Sequence, residues 1–139
     1  MESLGKIERT QLGFKVRLQG DMGTVRARVT EALKSEGFGV LTEIDVKETM
    51  KKKLGVDYDP FVILGACNPV LAHRALSAAP EVSLLLPCNV VVRELREGGV
   101  AVALVDPMEM MNFVGVPELQ ALAQEARAKM ERVATALLT

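Results

Sequence analysis

Asn89-Val90-Val91-Val92-Arg93-Glu94-Leu95-Arg96-Glu97-Gly98-Gly99-Val100-Ala101-Val102-Ala103-Leu104-Val105 is the stretch whose reading decides the architecture. Two runs rich in Val flank Glu97-Gly98-Gly99, a turn short enough to send the second run back beside the first. The pair reads as a β-hairpin, so the sheet is antiparallel at this point. Upstream, Val82-Ser83-Leu84-Leu85-Leu86-Pro87-Cys88 approaches the hairpin. Downstream, Asp106-Pro107 closes it, a connection with Met108, Met110 and Met111 follows, and Pro117 opens the longest helix. Leu119, Leu122, Ala123, Ala126, Met130, Val133, Ala134 and Leu137 form one stripe on that helix, and the stripe needs a sheet to cover it.

Nearer the N-terminus, Phe14, Val16 and Leu18 alternate with Lys15 and Arg17, the period of a strand with one wet face. Asp21 then caps a helix whose apolar positions are Met22, Val25, Val29 and Leu33 and whose stop is Gly37. A strand over residues 40–46 places Val40, Thr42, Ile44 and Val46 on one side. Val46, Met50 and Leu54 carry a short helix ended by Gly55. The run Phe61-Val62-Ile63-Leu64 has no polar alternation and reads as a strand buried on both faces. Gly65-Ala66-Cys67-Asn68-Pro69 ends it and starts a helix, with Asn68 as N-cap and Pro69 at the first helical position. Helices alternate with strands at first, but the later strands lack long crossovers, which points to an α+β domain with about five antiparallel strands. One domain over residues 1–139 is expected from the length.

Composition excludes several functions. Seventeen basic and eighteen acidic side chains leave a net charge of -1, so no field draws the chain onto nucleic acid or an anionic membrane. Aromatic content of 4% without Trp leaves no stacking platform for single strands. No apolar run reaches the roughly 20 residues of a membrane helix. Met1-Glu2-Ser3-Leu4-Gly5-Lys6-Ile7-Glu8-Arg9 interrupts its apolar residues with charge and offers no export signal, so the expected location is the cytoplasm. Small molecules and proteins remain as partners. A hydrophobic content of 49% with a Met-rich connection suggests an apolar face covered by a second copy, hence a homodimer.

The candidate chemistry centres on the two cysteines, read as thiols rather than a structural disulfide. Cys67 precedes a helix start, where backbone N–H groups favour a thiolate; the alternative is a thiol that fills space at a strand end. Cys88 becomes its partner if the two strands are neighbours. His73, the single histidine, lies one turn beyond Pro69 and is a candidate base or third metal ligand. Cys67, Cys88 and His73 would suit zinc with one open position. Asp57, Asp59, Asp106 and Glu109 are accounted for by turns and caps. Lys51-Lys52-Lys53 reads as a solvated face.

Three motifs in order, Ile63-Leu64-Gly65-Ala66-Cys67-Asn68-Pro69, Leu85-Leu86-Pro87-Cys88-Asn89-Val90 and Asp106-Pro107-Met108, resemble the family called domain of unknown function 302. The likeness runs from about residue 13 to residue 137. It implies a two-layer fold of the TATA-binding-protein type, with a curved antiparallel sheet against a long C-terminal helix and a shorter N-terminal one. It implies no reaction, substrate or cofactor, and it puts Cys67, Asn68, Pro69, Pro87, Cys88, Asp106 and Pro107 at motif positions. The leading expectation is a module that binds a small ligand or partner around Cys67, Asn68, Pro69, Pro87, Cys88 and Asp106. The rivals are a thiol-dependent enzyme or redox sensor using Cys67 and Cys88, and a zinc or soft-metal site.

Overall fold

A computed structural model of the chain describes residues 5–112 and 114–138. Part of the segment read for an export signal, residues 1–4, lies outside the described residues. The elements run β1 (Glu8–Arg9), β2 (Gly13–Leu18), α1 (Met22–Ser35), β3 (Gly39–Asp45), α2 (Val46–Leu54), β4 (Phe61–Cys67) and α3 (Pro69–Ala78). A 3₁₀ turn (Pro80–Leu85), β5 (Cys88–Glu94), β6 (Val100–Val105), α4 (Pro107–Met111) and α5 (Pro117–Leu137) complete them. The strands form one sheet in the order β1-β2-β6-β5-β4-β3, and every neighbouring pair is antiparallel. The hairpin β5–β6 sits at its centre. The sixth strand beyond the expected five is the two-residue β1.

Local chemistry sets the element ends. Asp21 accepts from the Thr24 N–H at 2.8 Å and starts α1. At the other end, Gly37 takes φ 84°, while the Phe38 N–H bonds back to Leu33 O and the Gly37 N–H to Lys34 O. A Cβ at Gly37 would also come within 2.9 Å of Asn68 Nδ2. Asp45 caps α2 through the Glu48 N–H, and Gly55 ends it in the left-handed region.

One face of the sheet carries the core. Phe14, Val16, Val90, Val92, Val100, Val102, Leu64 and Leu104 alternate inward and meet Val25, Val29 and Leu33 of α1 and Met130, Val133 and Leu137 of α5. Leu71 and Ala75 of α3, Val82, Met111 of α4, and Leu119, Leu122 and Ala123 of α5 form a second, smaller cluster. The opposite face keeps a cross-strand row of Lys15, Ala103, Val91, Ile63 and Ile44 only partly covered. Ala101 is buried on that face, where Arg17 and Arg93 flank it in register.

Two local expectations change. The strand over residues 40–46 does not keep one alternation, because a β-bulge between Val40 and Thr42 inserts Leu41 and flips the register. Val40 pairs with Ala66, whereas Thr42 pairs with Gly65, so the two face opposite sides. The apolar run 61–64 is fully buried on one side only: Val62 and Leu64 are buried, whereas Phe61 and Ile63 on the other face are partly covered. Ahead of β5, residues 80–85 form a 3₁₀ turn, and a cis Leu86–Pro87 bond leads into the strand. Among the described residues no helix is long and apolar enough to cross a membrane.

Candidate functional site

The ends of β4 and β5 meet where Ala66 pairs with Cys88. Cys67 closes β4 and is half-buried; Cys88 opens β5 and is buried; both are free thiols. They sit beside one another but one residue out of register on the ladder. The next residue, Asn68, is buried and fully used: its Oδ1 accepts from the Leu71 N–H and its Nδ2 donates to Glu36 O, both at 3.2 Å. Asn68 therefore caps α3 and ties it to the end of α1. Pro69 starts that helix and is solvent-exposed.

Between the strand ends and the smaller cluster lies a cavity with almost wholly apolar walls. Ala66 and Cys88, a cross-strand pair, line it from the sheet with the adjacent Cys67 at the strand end, and Leu71, Ala72 and Ala75 line it from α3. Pro107, Met110 and Met111 close it from the α4 side, and Leu119, Leu122 and Ala126 from α5. Phe38, Asn68, Leu86 and Pro87 complete the rim. Its volume of about 60 Å³ exceeds the roughly 10–15 Å³ that one water requires, so it admits several atoms of a ligand. Of the ligand-binding residues read from the motifs, Cys67, Asn68, Pro87 and Cys88 are on the wall; Pro69 and Asp106 are not.

Asp106 holds the site together from behind. It is 2% exposed, caps α4 through the Met108 N–H at 2.9 Å, and pairs with Arg127 of α5 at 3.0 Å and Arg9 of β1 at 3.5 Å. It thereby fixes the helix that carries Met110 and Met111.

His73 is a correction. It lies exposed on α3, off the cavity wall, because the helix turns Leu71 and Ala75 inward and so sends the position between them outward. Among the described residues no three His, Cys, Asp or Glu side chains come together to hold a metal ion, so the zinc set Cys67, Cys88 and His73 is not assembled. Sequence reasoning did not single out Phe38, Leu119, Leu122 and Ala126 as walls. The α5 residues were legible as a buried stripe, but the gap beneath them was not.

Burial, and then the neighbouring Cys67, push the Cys88 thiol up from its ordinary 9.0 to about 11. The sign follows from proton counts. Between those two values the unfolded chain releases a proton that the folded protein keeps, so stability falls as pH rises through that window. Below 9.0 the group contributes nothing to the slope. Urea melts from about pH 8, roughly one unit below that window, up to its top should show a steeper alkaline loss in the native protein than in Cys88→Ala. Identical slopes would contradict the buried thiol.

Among curated proteins nothing matches the chain. A crystal structure of an uncharacterized conserved protein DUF302 from Bacillus stearothermophilus is similar, with 32% identity and a TM-score of 0.79. The match covers 92% of this chain and 97% of that one. The family described as Domain of unknown function DUF302 matches residues 14–137. That match spans most of the sequence, and the chain belongs to that family.

Proposed function

We propose that this protein is a cytoplasmic binding module for a small apolar molecule, held in the cavity beneath α3, α4 and α5. The observation that carries the reading is the apolar cavity of about 60 Å³ on which Cys67, Asn68, Pro87 and Cys88 converge. Its one amide is spent on backbone partners, so shape and hydrocarbon contact would select the ligand. Benzene and short n-alkanes are suitable probes. A ligand that binds only the folded state raises the melting temperature in proportion to its saturation. The native protein should gain stability with at least one probe, and Ala126→Leu, which fills the cavity, should melt higher without a probe and lose the response. No response in the native protein, or one that survives Ala126→Leu, would overturn the reading.

A nucleophilic or redox role for Cys67 is supported by its half-exposed place on the wall at the start of α3. With His73 turned away, such chemistry would lack an imidazole base. Selective alkylation of Cys67 over Cys88 in the folded protein favours this role; equal inertness of both thiols counts against it.

The homodimer reading is supported by the sheet edge at β3. Leu41 and Ile44 are 68% and 49% exposed there, and Leu54, Val56 and Tyr58 are exposed nearby. Glu43, Asp45 and Glu48 share a hollow with Lys52 and Lys53, so both signs are present, as pairing about a two-fold axis requires. Light scattering should report twice the chain mass, reverting to one in Leu41→Lys/Ile44→Lys. A native monomer at high concentration refutes it.

A further inference from the structure

Three helices wall the cavity on the side away from the sheet, and they are not held equally. α5 has 21 residues and buries side chains along its length, from Leu119 to Leu137. α3 is tied at its start to the end of α1 through Asn68, and along its side to α5 through Arg74 and Glu125 at 3.0 Å. α4 has five residues, of which Pro107 and Met111 are buried. Its start is fixed by Asp106, which caps the Met108 N–H and pairs with Arg127 and Arg9. Its far end is held more lightly. There, Met111 O accepts from the Val114 N–H at 3.0 Å and from Gln120 Nε2 at 3.2 Å, and the Gln120 amide is what joins that end to α5.

We propose that α4 is the gate of the cavity: it swings outward about its Asp106–Pro107 end, and Gln120 is the latch that holds its Met111 end closed. Elements with few buried contacts open locally at a cost below that of global unfolding, and such openings admit ligands to closed sites. Opening strands no buried polar group here, because the Met111 carbonyl keeps the Val114 N–H and the released Gln120 amide meets water. The swing withdraws Met110 and Met111 from the wall and clears a path to Cys88 on the sheet side, which is otherwise 8% exposed. The gate rests on the binding reading for its purpose, but its motion is measurable without a ligand.

The test is the rate at which methyl methanethiosulfonate, a small uncharged thiol reagent, labels Cys88 in the folded, reduced full chain, with Cys67 read separately by peptide mass spectrometry. Gln120→Glu keeps the size of the side chain but has no amide hydrogen to donate, and a carboxylate near the start of α5 favours that helix. It should label Cys88 about fivefold faster than the native protein, the worth of one lost hydrogen bond, without a matching fall in urea stability. Arg74→Ala, which removes the tie of α3 to α5, should leave the Cys88 rate native. The proposal is overturned if Gln120→Glu labels Cys88 at the native rate, if Arg74→Ala speeds it equally, or if Cys88 resists the reagent until urea unfolds the protein. Benzene separates the two readings. Labelling that depends on Gln120 with no melting response to benzene refutes the ligand and leaves the motion of α4 standing; a melting response with labelling indifferent to Gln120 refutes the gate and leaves the ligand.

Discussion

Asp106→Ala should lower stability by about 3 kcal/mol, a large part of the roughly 5–15 kcal/mol that holds a domain together. The carboxylate is 2% exposed, and one of its oxygens receives the Met108 N–H that begins α4. Losing such a cap alone costs about 1 kcal/mol. The other oxygen pairs with Arg127 and Arg9, and breaking a buried pair costs about 3–5 kcal/mol. The Arg127 side chain is 31% exposed, so water would compensate part of its loss, and the total falls near the lower end. Asp106→Asn keeps an acceptor for Met108 but gives up the charge, and should lose about half as much. Urea denaturation measures both. A loss below about 1 kcal/mol for Asp106→Ala would mean that the network does not anchor α4.

Gly13→Ala should be at least as damaging. A Cβ at Gly13 would overlap the carbonyl oxygen of Leu104 and crowd the Asp106 nitrogen at 3.1 Å. Both obstacles are backbone within or just beyond the β2–β6 ladder, so neither yields by a rotamer change. Relief would require parting the strands, which places the cost at about 3 kcal/mol or more. Gly39→Ala is the matching control: nothing lies within 4 Å of its added Cβ, and its backbone is not in the left-handed region. It should change stability by less than about 0.5 kcal/mol. Equal effects at the two glycines would contradict the close approach of β2 to β6.

Where the chain writes structure in neighbouring residues, the sequence was a sufficient guide. The β5–β6 hairpin, the caps at Asp21 and Asn68, the Gly37 stop and the Pro117 start are local arrangements, and each occurs as read. What depended on partners elsewhere was not legible. The bulge at Leu41 is fixed by pairing with β4, and no pattern within residues 40–46 reveals it. The run 61–64 is apolar throughout, yet which of its sides meets helices is decided by where α1 and α5 lie. The same holds at the site. Cys67 and Cys88 could be proposed as neighbours, and they are, because the two motifs end adjacent strands. His73 lay at a plausible distance along the chain but on the wrong side of α3, a matter of helix phase against Leu71 and Ala75. The cavity itself is a space left between two clusters, and only assembled packing reveals a space.

The most direct test of the account is methyl NMR on protein labelled at methionine, titrated with benzene. Met110 and Met111 face the cavity; Met50 lies on α2 and Met22 at the start of α1, away from its wall. Saturable shifts at the Met110 and Met111 methyls, with Met22 and Met50 unmoved, are the predicted result. Unmoved Met110 and Met111 methyls, or equal small drifts at all four, would contradict a ligand-accepting cavity at this site.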